Sequence, residues 1–358
     1  MPSSIRPLGA VVRSPRSALG TRARSPWADG RGVAWVFGCV MLALGCGGPS
    51  RAAGWELERE SEGFGWWLSA WAPPGGPRYL VGGTNQHGRI VSDATGVLAE
   101  VMGVPEGPLL NWVFGWTADD LFVVGNSGTV LHFDGDTWER NDTPTTEALW
   151  GVWGAAPDDV WAVGGAGRAG STPVLLHYDG LSWRSVDPPT FGRPGVTALY
   201  KVWGTAADNV YAVGRAGVIL HYDGDTWSEE ASGTGDDLIA LHGSGPDEIV
   251  VVGGRSNGRV VIWDGSTWRS ESLAPLPGLN GVFMRTAGVA HLVGVEGTIA
   301  RLDLVNLVFR EEVPATRLDF HAVFGDDSGV LTAVGGNFSE APGAEQGVSF
   351  VRALARDE

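Results

Sequence analysis

Cysteine and lysine are nearly absent from this chain. Of its 358 residues two are cysteines, Cys39 and Cys46, and both fall in an apolar run near the start. The remainder has none, which excludes a disulfide framework or a thiolate metal site there. Lys201 is the one lysine. Positive charge as a whole is short: the formal −16 is made of +5 in residues 1–46, six arginines against one acid, and −21 in the remainder. A body this acidic repels phosphate backbones, which argues against nucleic acid as a partner. Long helical periodicity is missing too, and so are a Gly-x-Ser-x-Gly elbow, a phosphate loop and a His-Glu-x-x-His pair. No loop shows the alternating acid spacing of a calcium-binding hand. Neither a cofactor nor a metal is expected.

Gly32 to Gly45 is uncharged, but its fourteen residues are too few to span a bilayer. With the basic segment before it, the run has the layout of a secretory signal. Its end, Leu42-Ala43-Leu44-Gly45-Cys46, resembles the bacterial lipobox, in which the cysteine becomes the lipidated first residue. We therefore expect a leader over 1–46, a flexible tether over 47–54 and a folded body over 55–358. The expected location is the cell envelope, anchored through lipidated Cys46 at the outer membrane or cell surface; without the anchor the protein is secreted.

What the chain has in plenty is glycine, 55 residues, and tryptophan, 17. They recur in order. Residues 199–227 read LYKVWGTAADNVYAVGRAGVILHYDGDTW, and altered copies stand at 110–138 and 149–183. Aligning on Trp153 gives Trp71, Phe114, Trp203, His242, Phe283 and Phe324 as counterparts, spaced 43, 39, 50, 39, 41 and 41 residues apart. A period in this range with four strands' worth of pattern marks a propeller blade. In the unit at 199–227 we expect strands at Leu199–Trp203, Val210–Val213 and Val218–Tyr222, and a fourth opening at Thr226-Trp227. Asp223-Gly224 is a hairpin signal. The last unit, starting at Phe320, has no fourth strand before Glu358. Gly54-Trp55-Glu56-Leu57 looks like Thr137-Trp138-Glu139-Arg140, so the N-terminal segment is expected to supply that strand. The fold class is all-β: a seven-bladed β-propeller of four-stranded antiparallel blades, the last closed by an N-terminal strand, and a monomer.

Trp161-Ala162-Val163-Gly164, Leu176-His177-Tyr178-Asp179-Gly180 and Trp183 carry a resemblance to bacterial secreted propeller repeats, broadly the sialidase-like Asp-box group and the photosystem II assembly factor family. The Asp-box is shortened, since His221-Tyr222-Asp223-Gly224 lacks the residue between Asp and Gly. In that group the box is a turn bracing the sheet, so the resemblance implies fold more than activity.

Residues that repeat belong to the architecture. His132, His177 and His221 recur one per blade, too far apart for one ion, and are expected to satisfy a strand–turn corner. Asp134, Asp179, Asp223 and Asp264 are turn formers, and Trp138, Trp183, Trp227 and Trp268 pack blades. Residues that break the repeat are the candidate contacts. The second position of the first strand holds Leu68, Asn111, Trp150, Tyr200, Ile239, Asn280 and His321, expected near one mouth of the channel. Turns between second and third strands should add Asn85, Gln86, His87, Arg168, Arg215, Arg255 and Asn337 at the same end. Insertions at 165–173 and 337–347, and the extension Pro188–Pro194, are recognition loops or surface growth. The expected function is a non-catalytic lipoprotein scaffold binding an envelope protein, peptide or glycan through Asn111, Trp150, Tyr200, Asn280, His321 and Arg215. The alternative is a glycan-processing, sialidase-like hydrolase; an assembly factor is a third reading by fold analogy.

Overall fold

The computed structural model describes residues 54–62, 64–312, 316–338 and 345–354. The expected leader, tether and Cys46 lie outside them. Seven separate four-stranded sheets follow one another, six of them in simple sequence order from inner to outer strand. Blades 1 to 6 occupy residues 66–100, 110–141, 149–185, 199–230, 238–272 and 279–311. Blade 7 takes three strands from 319–353, and its outer strand is Glu56–Glu62, antiparallel to Gln346–Ala353. The closure expected from Trp55 is therefore what the structure has. Among the described residues no helix is long and apolar enough to cross a membrane.

The first two strands of blade 4 run longer than their sequence pattern, while the third, Ile219–Tyr222, begins one residue later than expected. Leu199–Ala206 and Asn209–Gly214 extend past the apolar core at the turn that joins them, and the outer strand is Trp227–Glu230. Backbone pairing continues beyond the last buried side chain because each unpaired N–H and C=O seeks a partner. Two turns set the spacing. Ala216 and Gly217 both take positive φ, 59° and 76°, the conformation of a tight hairpin turn. A Cβ on Gly217 would stand 2.2 Å from the Thr234 carbonyl oxygen. At the other end Gly224 has φ 97°, and its Cβ would come 2.9 Å from that of Asp208. Asp223 Oδ1 accepts from the Asp225 and Thr226 amides at 3.0 and 2.8 Å, and Asp134, Asp179 and Asp264 repeat this.

No blade has a core of its own. The buried apolar side chains fall into seven clusters, and each straddles one pair of neighbouring blades, including blades 7 and 1. At roughly 1.5–3 kcal/mol per buried large apolar side chain, these interfaces outweigh any single hydrogen bond. The outer-strand tryptophans staple them. Trp183, Trp227 and Trp268 stand edge-on to Phe122, Trp161 and Tyr211 of the preceding blade, with centroids 5.9, 5.0 and 5.8 Å apart. Trp183 Nε1 donates to Asn141 and Trp268 Nε1 to Glu230, again one blade back. Trp55 does the same for blade 7, donating to Glu312 at 2.7 Å.

The recurring histidines are satisfied locally. Nε2 of His132, His177 and His221 lies 2.8, 2.7 and 2.8 Å from Asp120, Asp159 and Asn209 in the neighbouring strand. Each ring lies against an aromatic of that strand, Phe122, Trp161 or Tyr211.

The extension before blade 4 is a tie. Arg193 Nε donates to Glu229 at 2.6 Å, and Nη1 reaches the carbonyls of Ala216, Gly217 and Thr234 at 2.8–3.0 Å. With charged, half-shielded hydrogen bonds worth about 1.5–3 kcal/mol each before non-additivity, Arg193→Ala should cost roughly 2–3 kcal/mol. A urea titration reads this as a lower midpoint at unchanged slope.

Candidate functional site

The first strands of neighbouring blades lie side by side around a central channel, blade 7's against blade 1's. In all seven the register with the second strand shifts at a corresponding step near the start of the first strand: Trp67/Ser69, Leu110/Trp112, Leu149/Gly151, Leu199/Lys201, Leu238/Ala240, Leu279/Gly281 and Phe320/Ala322; blades 2 to 5 shift again near its end. The skipped residues are Leu68, Asn111, Trp150, Tyr200, Ile239, Asn280 and His321, the position singled out by its variety. A bulge leaves its residue outside the ladder and re-aims its side chain. Seven bulges at one level make one mouth.

Their side chains divide into two groups. Asn111, Asn280 and His321 turn sideways. Asn111 Nδ2 donates to Leu149 O at 2.8 Å, Asn280 Nδ2 to Phe320 O at 2.9 Å, and His321 Nδ1 to Leu68 O at 2.6 Å. Each of these carbonyls belongs to the bulge of the next blade. Asn111 is only 1% exposed. The structure thus corrects its expected place on the open mouth: it is part of the wall, because its amide meets a carbonyl that the next bulge has freed.

Trp150 and Tyr200 form the second group, and the turns expected at their end do lie there. Trp150 Nε1 donates to Gly165 O at 3.0 Å. Arg215 Nη1 donates to Gly167 O, joining blade 4 to the 165–173 insertion. Tyr200 is hydrogen-bonded to Arg255, and Arg215 and Asp237 are close enough to act on its charge. Burial, then Asp237, push the Tyr200 phenol above its ordinary value. Arg255 pairs with Asp237 at 2.5 Å and Arg168 with Glu147 at 3.2 Å, both guanidinium groups remaining largely exposed. Blades 3–5 therefore gather two aromatic rings and three arginines at one face. Asn337 instead braces blade 1, accepting from Trp66 Nε1 at 2.9 Å; residues 339–344 of its insertion lie outside the described residues.

Behind the bulges the channel changes character. One residue on, Lys201 is 3% exposed. Its Nζ donates to Trp150 O at 3.0 Å and stands 3.2 Å from the centroid of the Trp112 ring. Gly151, the blade 3 counterpart, makes room: a Cβ there would lie 3.0 Å from Lys201 Cα. At the far end the seven residues used to align the repeat form an aromatic collar. Neighbouring rings from Trp71 to Phe114 to Trp153, and from Trp203 through His242 and Phe283 to Phe324, are 4.8–6.5 Å apart. Between Lys201 and the collar is a cavity of about 160 Å³, with no Asp or Glu in its lining.

The channel keeps its bases neutral. Burial holds His242 down to about 4, and burial together with the Lys201 charge holds His321 down to about 4. Burial alone holds Lys201 well below its ordinary value of 10.5. His242 Nδ1 accepts from the Met284 amide at 3.2 Å, which places its proton on Nε2. Sequence reasoning passed over Lys201 and Trp112. The available signal was a lone lysine at a repeat position otherwise held by Ser69, Trp112, Gly151, Ala240, Gly281 and Ala322.

Fold and mouth together define a seven-bladed β-propeller whose inner strands all bulge at one face. No family model matches the chain, and no curated protein matches it. Solved structures share its fold. YCF48 bound to D1 peptide is 13% identical over 84% of this chain and 97% of that one, with a TM-score of 0.61. YCF48 from Cyanidioschyzon merolae is 14% identical over 84% and 98%, at 0.62. The WD40 propeller domain of Doa1 is 10% identical over 85% and 98%, at 0.64. Identities this low speak for the fold alone.

Proposed function

We propose that this propeller is a non-catalytic scaffold that binds a protein or peptide partner on the bulged face of blades 3–5. The observation that carries the reading is the gathering of Trp150, Tyr200, Arg168, Arg215 and Arg255 on a body whose formal charge is −21. Aromatic rings and arginines are the side chains that anchor protein interfaces. Set on an acidic body, the arginines favour a partner segment bearing carboxylates. That YCF48, a protein of the same fold, has been solved with a peptide bound supports this choice. The channel cavity behind the bulges has no Asp or Glu in its lining.

Affinity capture from envelope extract with the leaderless body tests the reading. Trp150→Ala and Tyr200→Ala should each weaken retention of the specific partner about tenfold, the usual effect of removing an interface anchor. Circular dichroism should show both variants folded. Unchanged retention by both would place the partner elsewhere. The membrane anchor is a separate proposal. Cys46 should take up a palmitate analogue, and Cys46→Ser should abolish labelling and release the protein from the membrane fraction.

A further inference from the structure

We propose that the Lys201 amine is a covalent site for a small, uncharged, apolar aldehyde held in the channel cavity. This site lies on the opposite side of the bulges from the partner face and does not depend on that reading. Lys201 is the one lysine of the chain, is 3% exposed, and forms part of the cavity wall. Trp150 O and the Trp112 ring account for two of the directions around Nζ, and the amine has no carboxylate beside it in the cavity. Desolvation without a counter-charge favours the neutral amine, the form that carries the lone pair. An amine desolvated in an apolar pocket is the form in which lysine acts as a nucleophile toward carbonyl carbon.

The cavity defines the guest. Its volume of about 160 Å³ matches the roughly 150 Å³ apolar cavity that takes one benzene. Its wall is Trp112, Val152, Val202, Leu241, Val282 and Phe283, among others, and includes none of the seven bulge residues. All seven residues of the collar line it. Turns beyond the collar carry Asp119, Asp158, Asp208 and Asp247, which oppose an anion. A cation entering would lose its hydration in an apolar tube. An uncharged guest meets neither cost. In the reaction the Nζ lone pair adds to the aldehyde carbon and gives a carbinolamine. The former carbonyl oxygen then leaves as water with the two amine hydrogens, so one amine and one aldehyde yield one imine and one water.

Benzaldehyde with cyanoborohydride at pH 7 tests this on the full chain, read by intact mass and peptide mapping. The α-amine is the one other primary amine, so a side-chain adduct has a single address. The expected result is one benzyl group on Lys201, formed about tenfold or more faster than on an exposed lysine peptide, since each unit of lowered pKa frees about tenfold more amine. The rate should level off at a lower pH than that of the exposed lysine peptide, and excess toluene, which fills the cavity but has no carbonyl, should slow it. Lys201→Met should lose the adduct and keep the α-amine product. The proposal is overturned if Lys201 labels only in denaturant, if it labels no faster than the peptide, or if toluene has no effect. The toluene comparison uses unaltered protein, so it decides even where Lys201→Met does not fold.

Discussion

Removing residues 55–62 should lower the melting temperature by on the order of 10 °C or more. The segment is the outer strand of blade 7, pairing through Glu56↔Val351 to Glu62↔Gln346. Its loss strips roughly five backbone hydrogen bonds, at about 1 kcal/mol each, and bares the edge of Gln346–Ala353. It also removes ties to the blades on either side. Glu58 accepts from Arg78 of blade 1 at 2.5 Å, and Arg78 also donates to Asp93 at 2.9 Å. On the other flank Glu312 of blade 6 receives Trp55 Nε1 at 2.7 Å and Arg352 Nη1 at 2.9 Å. A loss near 5 kcal/mol converts to this shift at roughly 2–4 °C per kcal/mol for a domain of this size. Scanning calorimetry of the intact and shortened bodies reads it, and a synthetic 55–62 peptide added in excess should recover part of the difference. Equal melting temperatures would refute closure by this strand.

The second large effect is acid lability between pH 6.5 and 4. His242 and His321 are both held down to about 4, against an ordinary value of 6.5. In that window the unfolded chain binds protons that the folded channel refuses, so stability is full above about 6.5 and falls as pH drops toward 4. Each histidine contributes up to about 3 kcal/mol, from 1.36 kcal/mol per unit. His242 faces the Trp203 and Phe283 rings and the Met284 amide. His321 faces Leu68 O, the Phe338 ring and the Lys201 charge. Lys201 acts in the same sense, since its lowered value makes stability rise with pH toward 10.5. The turn carboxylates act lower down: Asp264, held to about 2, is lost only as pH falls from 3.8 through 2. The repeat supplies the control substitutions. His242→Phe copies Phe114 and Phe283, and His321→Asn copies Asn280, which makes the equivalent bond. Urea midpoints at pH 4.5 and 7.5 should differ by about half as much in either variant, and least in the double variant. A difference unchanged in the double variant would assign the acid lability to other groups.

Blade number, strand order and closure were legible because they rest on residues every copy must keep. Asp-Gly turns require their amides capped, and Trp183, Trp227 and Trp268 must reach one blade back. The level of the mouth was legible too, as the one varied position in an otherwise regular strand. Which mouth residues stay open was not. Asn111 and Tyr200 occupy the same bulge, yet one is spent on Leu149 O and the other stands among Arg215, Arg255 and Asp237. That difference depends on carbonyls in the next blade, which no spacing reveals. The Pro188–Pro194 extension has a similar lesson: nothing in its composition shows that Arg193 closes on four groups of blade 4 and its exit loop. Lys201 was visible only as a count, because burial, and not residue type, gives a lone amine its chemistry.

The closing strand also sets an order of events in biosynthesis. Glu58 meets Ser349 across 291 residues, so the first strand made is the last to find its place. At 5–20 residues per second it waits about 15–60 seconds for its partner to be synthesised. Through that interval blades 1 to 6 can stack as they emerge, while the ring stays open and the edge of blade 1 stays bare. Completion of the ring thus reports synthesis through the Gln346–Ala353 strand: a product truncated before Gln346 has nothing for Glu56–Glu62 to pair with and remains an open arc with two exposed blade faces.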